Sequence, residues 1–517
     1  MQQPPVTSYT GDFLRPRGDV TTVLDACDRD GQDDHLFPIN SEISWFTRDS
    51  NRRTVAFNQE IQTFQFQGTA AFGGYMSFDL GNQAAGDLIH SVGLQIRLGH
   101  WLDPGTIAAL QGNTIRYQTP DDAWTYTNGI GRALIDWAEF VVDDVTIERL
   151  DSVANDLILK LFPNSNNSFG LGRDGTGICS QVELVTPPST SFNQAPTGMF
   201  DPQRPWSTDR GDIFCVIPFF FSRSPRQSAF PLLSVREGRT RINIQLRNFA
   251  DVVRSVSGQR SSCTDTPLDQ TFTFSTATGG TVTAQAPADP PPFTDIRLIV
   301  YSTLLGSEPR QPYIRKPFEV MYRELVPFPF SQPFKYAVAM TNSATDYVSV
   351  QLPIEANGPV EEIIWVIRRK AQAINNDWFN YSQYTETQIS ANPDLIPVEP
   401  LIEATININA KQFVRQPGSW FRAQIARKHA GGINPYNAYV YGYSFATTPS
   451  SFQPSGSANL SRAQTVRLDL TVRVPPAAAV PSGFDQDISQ TWEVFVYTLG
   501  INWLRFENGM CGRIFST

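Results

Sequence analysis

Period-two alternation dominates the chain. Ile242, Ile244 and Leu246 alternate with Arg241, Asn243, Gln245 and Arg247, and Val466, Leu468, Leu470 and Val472 alternate with Arg467, Asp469, Thr471 and Arg473. Successive strand side chains point to opposite faces, so each run predicts a strand with one apolar and one wet face. Over residues 494–499 both sets are largely apolar, which predicts a strand buried on both faces. Such runs recur roughly every 10 to 20 residues, bounded by Gly, Pro, Asn and Asp. Helical periodicity is confined to two short stretches, 104–110 and 131–137. The pattern predicts an all-β chain of many short strands packed as sandwiches.

Residues 1–36 lack alternation and read as an arm, with an acidic run from Asp25 to Asp34. The strand pattern runs from Phe37 to about Leu305. Residues 306–319 are largely polar and read as a linker, and a second strand-rich half occupies 320–517. Within the first half, 164–212 and 251–292 read as long loops. Loops beyond about 15 residues are uncommon in compact domains, so these are expected to build something at one end of the domain. Inside the second loop, Thr271-Phe272-Thr273-Phe274 and Thr281-Val282-Thr283 flank Gly279-Gly280, which predicts a hairpin.

Composition narrows the class. Charged residues make up 18% and hydrophobic residues 41% of 517, which excludes a disordered chain. No apolar run approaches the roughly 18 residues of a membrane helix, and the start Met1-Gln2-Gln3-Pro4-Pro5 lacks the features of a signal peptide. The net charge of −9 argues against a surface devoted to nucleic acid. Five widely spaced cysteines (Cys27, Cys179, Cys215, Cys263, Cys511) suit thiols in a reducing compartment better than a disulfide framework. The four histidines share no metal-ligand spacing.

Candidate chemistry is sparse. Gly170, Gly172 and Gly175 have dinucleotide-loop spacing without a strand before or a helix after. Asp143-Asp144 with Glu148 has the composition of an acid–base pair, but alternation with Val145 and Ile147 inward places Asp144, Thr146 and Glu148 on the wet face. Arg223 with Arg226, and Arg368-Arg369-Lys370, are either solvated strand ends or contacts to acidic neighbours. Tyr439, Tyr441, Tyr443 and Phe445 form an alternating aromatic ladder, suited to a sandwich inner face, a subunit interface or a sugar. Sequons at Asn166, Asn380 and Asn459 are candidate glycosylation sites. No catalytic, cofactor-binding or metal-binding set emerges, and the chain is expected to be neither an enzyme nor a cofactor carrier.

Ordered motifs run along residues 37–512. Ile43-Ser44-Trp45-Phe46, Arg52-Arg53-Thr54, Phe57 and Glu60-Ile61-Gln62 come first, followed by Gly86-Asp87-Leu88-Ile89. Gly131 with Ala133-Leu134-Ile135 leads into a strand pair from Ala138 to Glu148. Ile217-Pro218-Phe219-Phe220-Phe221-Ser222-Arg223, Ala229-Phe230-Pro231-Leu232-Leu233 and residues 241–246 come next. The second half carries Ile363-Ile364-Trp365-Val366-Ile367-Arg368 and Asn376-Asp377-Trp378-Phe379-Asn380-Tyr381. Its most specific stretch is Tyr439-Val440-Tyr441, Ser444-Phe445-Ala446, Gln453-Pro454-Ser455-Gly456-Ser457, Asn459 and Ser461-Arg462. In their order and spacing these motifs resemble the major capsid proteins of the nucleocytoplasmic large DNA viruses.

The resemblance implies two consecutive eight-stranded jelly-roll β-sandwiches with long loop insertions. It further implies a homotrimeric, pseudo-hexagonal capsomer tiling the icosahedral shell of a large double-stranded DNA virus. Neighbouring capsomers, minor capsid proteins and a penton protein would be its partners, with the inner membrane touched only indirectly and no direct contact to nucleic acid. Low charge and many aromatics suit large obligate interfaces. Pro454 and Gly456 are expected to shape a tight turn. Rival readings are a minor capsid or spike jelly-roll protein and a lectin-like carbohydrate-binding sandwich.

Overall fold

The computed structural model describes residues 55–81, 85–97, 115–116, 124–127, 130–162, 212–223, 228–255, 271–276, 281–285, 293, 295–328, 334–335, 347–384, 399–429, 439–473, 480, 483–485, 488 and 491–515. Sixteen strands build two sandwiches. The first uses β1 (Phe57–Phe64), β2 (Tyr75–Asp79), β3 (Leu88–Arg97), β4 (Ile135–Val142), β5 (Val145–Asp151), β6 (Asp212–Ile217), β7 (Thr240–Leu246) and β8 (Asp295–Leu305). Its sheets run β1-β8-β3-β6 and β2-β7-β4-β5, with a two-residue strand at Gln67–Gly68 beside β2. The second uses β9 (Phe318–Phe328), β10 (Tyr347–Pro353), β11 (Pro359–Arg369), β12 (Leu401–Ile408), β13 (Lys411–Pro417), β14 (Val440–Ser444), β15 (Val466–Arg473) and β16 (Thr491–Glu507). Its sheets run β9-β16-β11-β14 and β10-β15-β12-β13. Adding eight to each strand number of the first sandwich gives the second, and the order is that of a jelly roll.

The repetition extends to details. The β4–β5 hairpin turns at Asp143-Asp144 with φ of 52° and 61°, and β12–β13 turns at Asn409-Ala410 with φ of 52° and 60°. Two successive left-handed residues are what a tight hairpin turn matched to strand twist demands, and Asn and Asp tolerate that region best. Each hairpin then carries one extra residue, Ile147 in β5 and Phe413 in β13. A helix follows each hairpin, α2 (Ser152–Leu161) and α4 (Gly418–Lys428), whereas α1 (Ile130–Leu134) precedes β4.

The alternating runs became strands. β15 buries Val466, Leu468, Leu470 and Val472 and turns Arg467 and Arg473 to solvent. β16 is buried or half-buried from Thr491 to Asn502. Thr271–Thr276 pairs with Thr281–Gln285, Phe274 opposite Val282, as the sequence predicts. The helix expected over 131–137 is shorter: it spans Ile130–Leu134, and the chain is already strand at Ile135, where β4 pairs with β7. Ile135 and Trp137, at the end of that window, have in Leu246 and Gln245 the cross-strand partners that an isolated helical turn cannot offer. A helix α3 (Ser307–Arg315) with no buried residue occupies most of 306–319. The arm 1–36, the helical stretch 104–110 and loop residues 164–211 lie outside the described residues.

Candidate functional site: the seam between the sandwiches

Bulges place the charges of the seam. In β5 the register against β4 slips after Thr146, so Ile147 and Glu148 both turn inward. Glu148 is therefore buried, not on the wet face that strict alternation assigns, while Val145 is half exposed. Its carboxylate accepts Arg223 Nη2 at 2.5 Å and the Phe220 N–H at 2.8 Å. It also accepts the Leu325 N–H of β9, and Arg223 Nη1 donates to the Arg323 carbonyl of the same strand at 2.9 Å. β9 is an edge strand, and an edge leaves a row of unpaired N–H and C=O groups. One ion pair from the first sandwich thus caps the open edge of the second. Burial raises the Glu148 pKa above the ordinary carboxylate range, opposed by the Arg223 charge.

A second bulge lies between Val360 and Glu362 in the pairing of β11 with β16. It leaves Glu361 and Glu362 both buried. Glu361 takes Arg323 Nε at 2.5 Å, and burial again pushes its pKa up. Glu362 meets His429 Nε2 at 2.8 Å at the end of α4. The His429 ring stands edge-on to Phe162, at the end of α2, with centroids 4.8 Å apart.

A hook at 375–384 carries the second sandwich into the first. Asn376 sits at φ 59°, its Nδ2 donates to the Ala250 carbonyl at 2.7 Å, and its own carbonyl accepts the Thr127 hydroxyl. Trp378 donates its indole N–H to the Asp251 carbonyl at 2.8 Å. The guanidinium of Arg247, from the first sandwich, lies 3.6 Å from a Trp378 ring centroid, and that of Arg368, from the second, lies 5.3 Å away. Buried Tyr381 donates its hydroxyl to Asp156 at 3.1 Å, and Asp156 pairs with Arg132 and Lys160. Arg368 also binds Glu493 at 2.8 Å, and Arg369 donates to the Gln383 carbonyl at 2.9 Å. Arg223, Arg368 and Arg369 are thus buried contacts rather than solvated strand ends.

The C-terminal end closes the seam. β16 turns at Asn508 (φ 54°) and Gly509 (φ 79°) into a short strand, Met510–Arg513. The Gly509 carbonyl accepts the N–H groups of Arg236 and Glu237 in the first sandwich at 2.9 and 3.1 Å. Ring contacts Phe220–Tyr322 (4.9 Å) and Phe230–Phe506 (5.7 Å) join the two apolar cores.

Of the candidate modification sites, Asn166 lies outside the described residues. Asn380 is half-buried: its Nδ2 donates to Asp377 and its Oδ1 accepts both the N–H and hydroxyl of Ser382. Asn459 is exposed, its Oδ1 capping the helical turn through the Ser461 N–H. Pro454 and Gly456 are both exposed; Gly456 has φ 125°, and the neighbouring Ser455 hydroxyl accepts the Thr448 N–H at 2.9 Å. The aromatic ladder is mostly interior, with Tyr439 and Tyr441 buried and Tyr443 and Phe445 half-buried. Among the described residues no cluster of three His, Cys, Asp or Glu side chains is placed to hold a metal ion.

Asp151, Asp156 and Tyr497 are seam residues that alternation alone does not flag. Trp378 and Tyr381 are marked only by the family-like stretch around Asn376. The chemistry of the whole arrangement is fixation: carboxylates, guanidiniums and indoles of one sandwich are paired with groups of the other.

Comparison with known proteins places this architecture. A family model described as the major capsid protein N-terminus matches residues 44–279, and one described as the large eukaryotic DNA virus major capsid protein matches 332–512. The major capsid protein of Paramecium bursaria Chlorella virus 1 is 26% identical over 243 residues, 41% of this chain. That match spans about half (52%) of the relative's length. The crystal structure of VP54 from the same virus superposes with a TM-score of 0.61 at 18% identity, covering 92% of this chain and all of that one. The Faustovirus major capsid protein gives 0.55 at 12% identity, with 90% and 93% covered. The fold is therefore a double jelly roll, and the chain belongs to the family of large eukaryotic DNA virus major capsid proteins.

Proposed function

We propose that three copies of this chain form a pseudo-hexagonal capsomer and that many capsomers tile an icosahedral shell. The observation that carries this reading is the repeated strand order joined by a buried seam. Two like bodies held in one orientation give a trimer six sandwiches around its axis, a shape suited to hexagonal tiling. A flexible joint would let that shape vary, whereas ion pairs, hooks and ring contacts oppose such motion.

In this reading residues 37–305 and 320–517 are the two bodies and 306–319 joins them. Loops 164–212 and 251–292 form the outward face, and the arm 1–36 meets minor capsid proteins on the inner face. Neighbouring capsomers and a penton protein complete the shell, the membrane beneath is contacted indirectly, and assembly takes place in the host cytoplasm. The chain's role is structural rather than catalytic. Light scattering coupled to size exclusion tests the central claim: a species near three times 57.7 kDa is expected. A stable monomer at all concentrations, in the presence as well as the absence of candidate scaffold proteins, would refute it.

A further inference from the structure

The two sandwiches repeat one another, and the seam uses a different side of each. The first sandwich contributes β5 and the segment after β6; the second contributes the open edge of β9. Among the described residues, each chain therefore has one unused copy of both surfaces. The counterpart of β9 is β1, and the counterparts of β5 and the segment after β6 are β13 and the segment after β14.

Both unused surfaces carry exposed apolar side chains among polar ones. Among the described residues β1 pairs only with β8, so its other edge carries unpaired backbone groups. Phe57 and Ile61 on β1 and Val55 before it are 54%, 65% and 56% exposed. No Lys or Pro guards this edge, the usual devices against strand addition. On the other surface Phe413, the extra residue of the β12–β13 hairpin, is 51% exposed, whereas its counterpart Ile147 is buried. Phe413 packs against Tyr443 and Phe445 at 5.7 and 5.9 Å, with Trp420 stacked behind Tyr443. Clustered aromatics of this kind are typical anchors of protein interfaces.

We infer that the β1 edge of one copy, centred on Phe57 and Ile61, docks on the Phe413–Tyr443–Phe445 flank of the next copy, repeating between chains the contact that the seam makes within one. Two different patches meeting head to tail generate a ring when the rotation closes. Three copies would then place six sandwiches in a cycle of alternating internal and external contacts. This inference rests on the trimer reading and assigns its interface.

The test uses the full chain. Ile61→Asp and Phe413→Asp should each lower the trimer fraction more than tenfold at micromolar concentration, with thermal unfolding of the monomer retained. Tyr347→Asp, at an equally exposed position on β10, should leave the trimer intact. Combining Ile61→Lys with Phe413→Glu should restore assembly, a result that damage to folding would not produce. A wild-type trimer that persists in both single Asp variants would overturn the interface while leaving the trimer standing, and would assign the β1 edge to another occupant, such as the chain's own residues before Val55. A wild-type chain that never exceeds 57.7 kDa would remove the trimer itself and the interface with it.

Discussion

The Tyr497 hydroxyl on β16 lies 2.9 and 3.0 Å from the two carboxylate oxygens of Asp151, at the end of β5 in the other sandwich. The same carboxylate caps α2, accepting the Ala154 N–H at 2.6 Å. One side chain thus starts a helix and holds a seam. Burial pushes both ionisations up, the tyrosine's well above its ordinary value. Tyr497→Phe removes the hydroxyl bond and should cost about 1–3 kcal/mol. Asp151→Ala should cost more, because the lost cap adds about 1 kcal/mol. Urea unfolding of the two variants checks the order; an equal loss in both would mean that the cap contributes nothing.

Glu148 carries a heavier load. Its removal strands the Arg223 guanidinium in a buried site and orphans the Phe220 and Leu325 N–H groups. Breaking one side of a buried pair costs about 3–5 kcal/mol. Glu148→Ala should therefore destabilise strongly, and the contact of β5 with the β9 edge should loosen first. Scanning calorimetry is expected to show the single transition broaden or split as the sandwiches uncouple. Glu148→Ala with Arg223→Met should recover part of the loss, since no unpaired charge remains.

Much of this fold is legible in the chain, and Glu148 shows where legibility stops. Val466 to Val472 alternate without interruption, so periodicity alone places them. In β5 one extra residue reverses the phase, and the same rule sends Glu148 to the wrong side. Nothing local announces that slip. Arg368 and Arg369 pose a different problem: a basic pair at a strand end looks solvated until Glu493, Trp378 and Gln383 arrive from elsewhere in the chain. The family-like stretch from Asn376 to Tyr381 did mark the hook, but its partners Ala250, Asp251 and Asp156 lie more than 120 residues away. Strands follow from local pattern, whereas the seam is set by long-range pairing.

Gly456 gives a backbone test. Its φ of 125° is a region that L side chains rarely adopt, and an added Cβ would lie 3.2 Å from the Phe445 carbonyl oxygen. The turn it serves is held by the Thr447 N–H to Ser455 carbonyl bond at 3.1 Å and by the Ser455 hydroxyl on Thr448. Gly456→Val should cost about 1–3 kcal/mol in backbone strain. Gly456→Ala should cost less, and Ser457→Val, at the exposed neighbour, should be near neutral. Melting temperatures in that order are expected; an unperturbed Gly456→Val protein would show that the turn relaxes without penalty.

Alkaline pH should weaken the C-terminal side of the seam. Burial pushes the Cys511 thiol from 9.0 up to about 12, helped by the Asp143 charge, and pushes the Tyr322 hydroxyl from 10.0 up to about 12. Both are acids whose neutral form the fold prefers, so their contribution to stability is full below pH 9. As pH rises the unfolded chain gives up these protons first, and the contribution is lost progressively toward pH 12. By pH 11 the loss should be on the order of 2–3 kcal/mol for Cys511 and about 1 kcal/mol for Tyr322. Urea midpoints should fall from pH 8 to pH 11 in the wild type and fall less in Cys511→Ala. The same burial should keep Cys511 unreactive toward iodoacetamide at pH 8 until the chain unfolds, because the thiolate is the nucleophile. Parallel pH profiles for wild type and Cys511→Ala would show that this thiol is not held neutral by the fold.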